Sequence, residues 1–147
     1  MKRIIYFLVI LFFGFSISIF SSDGTKKRGS LVVKFNGISS SNGNVIIALC
    51  NSEANYTDHK SPFIGRSIPI EKNTATVIFN DLLFGEYAIK AFHDEDANED
   101  LNTNILGIPV EDYGFSNNAR GLFGPPSWED AKFRFGDDSI ILEIVIK

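Results

Sequence analysis

Leu82-Leu83-Phe84-Gly85-Glu86-Tyr87-Ala88-Ile89-Lys90-Ala91-Phe92-His93 is the stretch on which the fold turns. From Glu86 onward it alternates, with Tyr87, Ile89 and Ala91 on one face and Glu86, Ala88, Lys90 and Phe92 on the other. That period of two predicts a β-strand. Just ahead of it, Leu82-x-x-Gly85-x-Tyr87 has the form of a tyrosine corner, in which a buried Tyr at a strand start bonds its hydroxyl to nearby backbone and locks the connection.

Working outward, Leu31–Phe35 and Val45–Cys50 read as strands, and the Gly, Ser and Asn residues from Asn36 to Asn44 predict a hairpin turn between them. Asn51–Arg66 lacks periodicity and is expected to cross between sheets. Ser67–Ile70 reads as an edge strand, because Pro69 cannot donate to a central ladder. Ala75–Phe79 is a further strand, and Asn80–Gly85 a turn. Thr103–Ala131 is a long segment rich in Gly, Pro, Asn and aromatic residues, a kind of loop that is usually functional. Within it Ser127 is placed to cap one helical turn, with Asp130 three residues on. Lys132–Phe135, a turn at Gly136-Asp137-Asp138 and Ile140–Ile146 close the chain. Short strands, frequent turn signals and no convincing amphipathic helix predict an all-β, antiparallel, immunoglobulin-like sandwich of about seven strands.

Met1-Lys2-Arg3 followed by the apolar run Ile4–Phe20 and the exit Ser21-Ser22-Asp23-Gly24 has the pattern of a secretory signal peptide. An uncleaved anchor is the alternative, since the run reaches the lower edge of a spanning length. The expected organisation is a signal peptide at 1–22, a flexible linker at 23–29 and one domain at 30–147. No cysteine near the exit argues against a lipid-anchored form. The placement is then periplasmic or extracellular, without membrane insertion after cleavage. The formal charge is −4, and losing Lys2 and Arg3 takes it to −6. An acidic chain whose one basic cluster, Lys26-Lys27-Arg28, sits in the expected linker excludes nucleic acid, whose binding needs clustered cations. Cys50 is the sole cysteine, so no disulfide within the chain is available, and it reads as a buried small hydrophobe.

The chemically densest stretch is Asp94-Glu95-Asp96-Ala97-Asn98-Glu99-Asp100-Leu101-Asn102, with oxygen-bearing side chains at every second position. Ca²⁺ takes carboxylate and amide oxygens from alternate positions of a short loop, so Asp94, Asp96, Asn98, Asp100 and Asn102 are candidate ligands. The helix-loop-helix calcium template fails at its sixth position, where Glu99 replaces Gly, and at its twelfth, where Ile105 replaces Glu. Glu111 supplies the missing carboxylate if the chain folds back. The competing reading is a solvated acidic turn, since Asp and Asn favour turns for local hydrogen-bonding reasons.

His93 borders this cluster, but without a partner histidine it reads as a hydrogen-bonded structural residue before a general base. His59 has no companion at zinc-ligand spacing. Ser116 lacks the Gly-x-Ser-x-Gly elbow of a nucleophile. Carboxylate pairs such as Asp94 with Glu111, or Glu129 with Asp130, are short of cleft wall for glycoside hydrolysis. No catalytic residue is assigned. Tyr113, Phe115, Phe123 and Trp128 are expected to plug one end of the sandwich or to form a recognition surface.

Gly85-x-Tyr87-Ala88, His93-Asp94 through Asn104, Gly107-x-Pro109-x-Glu111, Gly114-Phe115-Ser116-Asn117 and Phe123-Gly124-x-Pro126 occur in the order of the DUF2141 family of exported bacterial proteins, which the chain resembles over nearly all of residues 30–147. The resemblance implies a transthyretin-like or carboxypeptidase-regulatory-like sandwich and implies no activity. The chain departs from the family pattern at Asp96, Glu99, Asn102, Asp112 and Trp128, and Glu99 stands where the family has Gly. Three functions follow as expectations. The first is a non-enzymatic binding or accessory domain, with a protein, small molecule or carbohydrate as ligand and a structural Ca²⁺ loop. The second is a small hydrolase using His93 and loop carboxylates. The third is a purely structural domain without metal.

Overall fold

The computed structural model describes residues 26–147 apart from His59. The expected signal peptide and the reading of His59 lie outside the described residues. Eight strands and two short helices follow in the order β1 (Arg28–Asn36), β2 (Asn44–Cys50), α1 (Glu53–Thr57), β3 (Ile64–Pro69), β4 (Ala75–Leu83), β5 (Gly85–Asp94), β6 (Tyr113–Phe115), α2 (Trp128–Ala131), β7 (Phe133–Phe135) and β8 (Ser139–Val145). They form the expected all-β sandwich. One sheet has the order β4-β1-β8, the other β3-β2-β5-β6 with β7 paired to the start of β5. All pairs are antiparallel except β1 with β8, which is parallel.

The alternating strands supply the core. Leu31, Val33 and Phe35 of β1 and Val77 and Phe79 of β4 face Val45, Ile47 and Leu49 of β2 and Tyr87, Ile89 and Ala91 of β5. Their polar-side neighbours, such as Lys34 and Thr76, stay exposed. At the turn from β4 into β5 the chain changes sheets. The Tyr87 hydroxyl donates to the Leu83 carbonyl at 2.8 Å, which is the tyrosine corner read from the sequence.

Four expectations are corrected. β1 and β2 do not form a hairpin. Both edges of β1 are occupied, by β4 and β8, so β2 joins the other sheet and residues 37–43 arch between them. Ile38, apolar within the polar turn cluster, is buried in the core under that arch, where a hairpin turn would have exposed it. Conversely, residues 51–63 stay with their own sheet and return as β3, which pairs β2 antiparallel. β3 is the edge strand that Pro69 predicts. Asn80-Asp81 is a bulge inside β4 and not a turn. Asp81 adopts φ 58°, the register shifts between Gly29 and Leu31 opposite, and pairing resumes at Leu82. Finally, the linker ends earlier than residue 29. Arg28 already pairs with Leu83, and its guanidinium bonds the Asp81 carboxylate and carbonyl, both at 2.8 Å.

Candidate functional site

β5 carries the site because its two faces do different work. Tyr87, Ile89 and Ala91 enter the core, which leaves Ala88, Lys90 and Phe92 on the outer face of the larger sheet. One end of that outer face is plugged. Cys50, Tyr56, Ala88, Phe115, Trp128 and Ala131 form a second apolar cluster, with Tyr113 packed against it. Tyr56 and Trp128 meet edge to face at 5.8 Å, and the Tyr56 hydroxyl donates to the Pro126 carbonyl at 3.0 Å. An aromatic plug therefore exists, but it covers the outer face of the larger sheet and not an end of the sandwich, and Phe123 is not in it. Its ring is fully exposed on the loop ahead of α2, as is most of Leu122. Pro126, and not Phe123, is the buried residue of that loop, held by Tyr56.

The other end of the outer face is open. A cleft of about 760 Å³ is floored by Ile46, Ala48, Lys90, Phe92 and Phe115 and walled by the loops at residues 99–109 and 124–125. That volume is in the range of small-molecule sites. Lys90 is half-buried in this floor, its ammonium donating to the Tyr56 carbonyl at 2.5 Å and lying 5.2 Å from the centre of the Tyr56 ring. Burial pushes the Lys90 ammonium below its usual range, opposed by Cys50 and Asp58. Burial likewise pushes the Cys50 thiol up, with Lys90 opposing, and the Tyr56 hydroxyl up to about 12. Cys50 is the inert buried hydrophobe expected of it, with no exposed surface.

The wall at 99–109 is held by the acidic stretch. Asp94 ends β5 and is fully buried, its two carboxylate oxygens accepting from the Asn98 and Glu99 amides at 3.0 Å each. Asn98 Oδ1 accepts from the Asp100 amide at 2.7 Å, and Asp96 Oδ2 accepts from the side-chain amides of Asn98 and Asn102 at 3.0 Å. Beyond this the chain makes a small hairpin. The Val110 amide donates to the Asn102 carbonyl and the Asn104 amide to the Ile108 carbonyl, both at 2.9 Å. Glu111 is thus folded back onto the cluster, where its oxygens accept from the Glu95 amide at 3.1 Å and the Asn102 amide at 2.9 Å.

Of the six candidate ligands, Asp94, Asp96 and Glu111 each place an oxygen within 4.8 Å of the others. Asn98 and Asn102 lie beside them through their bonds to Asp96. Asp100 is not brought in; its side chain is exposed and the residue borders the cleft. The donor set is all oxygen and fits a hard cation such as Ca²⁺. Four backbone amides and two side-chain amides already offset part of the charge. Glu99 adopts φ 66°, the left-handed region, which accounts for the Gly that the calcium template wants there. Glu99→Gly is expected to stabilise the protein by about 1 kcal/mol, read by urea unfolding.

His93 points the other way. It is buried at the end of the core face, with Nε2 2.8 Å from the Asn42 carbonyl and Nδ1 3.4 Å from the Ser39 hydroxyl. A carbonyl only accepts, so Nε2 carries a proton and donates to Asn42, while Nδ1 stands within reach of the Ser39 hydroxyl. His93 ties the arch at residues 37–43 to β5 and does not line the cleft.

Sequence reasoning missed the role of Ser116-Asn117-Asn118. Ser116 is buried, donates to the Ala131 carbonyl at 2.5 Å and accepts from the Ile89 amide at 2.9 Å. Asn117 donates to the Asp130 and Lys132 carbonyls, and Asn118 accepts from the Val145 amide. The consecutive asparagines are the available signal, since Asn tolerates positive φ better than most residues and both adopt it here, at 59° and 50°. Ser116→Ala is expected to cost about 2 kcal/mol, because the buried Ile89 amide loses its acceptor; thermal unfolding checks it.

No curated protein and no solved structure matches the chain. Residues 33–142 match the model of a family described as an uncharacterized protein conserved in bacteria, DUF2141, a span that runs from within β1 into β8 and includes the acidic cluster, the cleft floor and the Ser116 knot, and the chain belongs to that family.

Proposed function

We propose that the chain is an exported, non-enzymatic binding domain whose ligand seats in the cleft on the outer face of the larger sheet. In this reading a Ca²⁺ ion at Asp94, Asp96 and Glu111 stiffens the wall of that cleft. The observation that carries it is the cleft itself: an apolar sheet face left open between two loops, with one half-buried cation in its floor. Export is supported by the basic, apolar and small-residue pattern of residues 1–24. The placement of His93, with both ring nitrogens engaged away from the cleft, favours binding over hydrolysis.

The ion would be held by the three carboxylates, and the Asn98 and Asn102 side chains, whose NH2 groups now donate to Asp96, would turn their amide oxygens inward to join the shell. Its part is charge neutralisation and loop closure, and the protein supplies the rest. Thermal unfolding in EDTA and in 5 mM CaCl₂ tests it. A Kd of about 0.5 mM, within the range of extracellular calcium modules, corresponds to about 1.4 kcal/mol of stabilisation and a rise of roughly 5 °C. Equal melting in the two conditions removes the metal from the account. The cleft is tested separately by a ligand-observed NMR screen of small-molecule fragments against the wild type and Ala48→Phe, which fills the floor beside Lys90. Binders lost in the variant support the cleft; binders unaffected by it contradict the reading.

A further inference from the structure

The ligand class follows from what surrounds Lys90, and the argument for it rests on the cleft reading above. Lys90 pairs with Ala48 across β2 and with Phe115 across β6, so its ammonium rises from the middle of an apolar floor. An ammonium has three donors, and one is spent on the Tyr56 carbonyl. Desolvation is costly for a cation, the Tyr56 carbonyl and ring and the nearby charge of Asp58 offset only part of it, and an anion arriving in a low-dielectric site forms a strong charge-assisted hydrogen bond. The remaining floor, Ile46, Phe92, Tyr113 and Phe115, asks for an apolar body.

The walls narrow the class. Glu99 and Asp100 border the cleft with negative charge, which disfavours a ligand carrying two charges of that sign. Arg66, the second cation on the rim, lies on edge strand β3, where its guanidinium donates to the Gly65 carbonyl at 2.8 Å. The loops that form the walls also carry large apolar side chains into solvent: Ile105 is 101% exposed, Leu106 77%, Leu122 94% and Phe123 103%. Exposed apolar side chains mark contact surfaces, and these four stand on or next to the chain segments, residues 99–109 and 124–125, that line the cleft. We propose that the cleft binds an aliphatic monocarboxylate, its head on Lys90 and its chain running over Ile46 and Phe92 toward the exposed apolar loop tips.

Trp128, the sole tryptophan, touches Tyr56, whose ring and carbonyl hold Lys90, so its emission reports on the head-group end. The purified protein is titrated with dodecanoate, dodecanol and dodecylamine below their aggregation limits, by Trp128 emission and by calorimetry. Dodecanoate is expected to bind saturably and at least tenfold more tightly than the other two. Lys90→Met, which keeps the length and apolar stem of the side chain, is expected to bring the acid and the alcohol to equal affinity while the protein stays folded by circular dichroism. Equal binding of acid and alcohol to the wild type overturns the carboxylate. If Ala48→Phe then abolishes both, the cleft reading survives without it. No saturable binding of any of the three probes overturns the aliphatic class, and the fragment screen decides separately whether the cleft binds at all.

Discussion

Gly43→Ala should destabilise the protein by about 4 kcal/mol, enough to remove much of the stability of a domain this size. Gly43 has φ +68°, where an alanine costs about 1–2 kcal/mol in backbone strain alone. The greater part comes from space. A Cβ at this position would lie 1.9 Å from the Asp94 carbonyl oxygen and 2.9 Å from the Glu95 Cα. Both are backbone, so no side-chain rotation relieves the overlap, and the arch or the end of β5 must move. Because Asp94 is the residue displaced, the same substitution should weaken the response to CaCl₂. Chemical denaturation with and without 5 mM CaCl₂ checks both effects. A loss under about 1 kcal/mol would mean that the arch and β5 are not packed this closely.

Asp94→Ala carries the second-largest expected effect, about 3 kcal/mol, or roughly 10 °C in melting temperature. The carboxylate is buried and accepts from two backbone amides, Asn98 and Glu99, that then lose their acceptor. Relief of repulsion from Asp96 and Glu111 returns a little of this, which is why Asp94→Asn should cost only about 1 kcal/mol while keeping an acceptor for one amide. The pair separates the two roles of the residue. Stability in EDTA reports the cap, and the added response to CaCl₂ reports the metal, which both variants should lose. Differential scanning calorimetry of the wild type and both variants in the two buffers gives the six values needed.

What the sequence made legible follows a physical line. Strands whose faces differ, such as Ala75–Phe79 and Glu86–His93, declare themselves by alternation, and the Tyr87 corner and the Ser127 cap are local hydrogen bonds with local signatures. Partner choice is not local. The polar residues between β1 and β2 fit a hairpin and an arch equally well, and only buried Ile38 marks the difference. Asn80-Asp81 has turn chemistry, yet its left-handed residue is used for a bulge because β1 continues alongside it.

The candidate site divides in the same way. The acidic run and the return of Glu111 were readable, because the loop from Asn102 to Glu111 is short enough to close on itself. The cleft was not. Its floor comes from β2, β5 and β6 and its walls from two distant loops, and Lys90 looks in sequence like any outward lysine on an alternating strand. Ser116 was weighed as a nucleophile and is instead the knot joining β5 to α2.

The most direct measurement is an amide chemical-shift map of the ¹⁵N-labelled protein with one cleft-binding fragment at saturation. The account predicts the largest shifts at Ile46, Ala48, Lys90, Phe92 and Tyr113, with smaller ones along residues 99–109. Shifts centred on β1, β4 and β8, or scattered without a focus, would place the ligand elsewhere and contradict the cleft as the functional site.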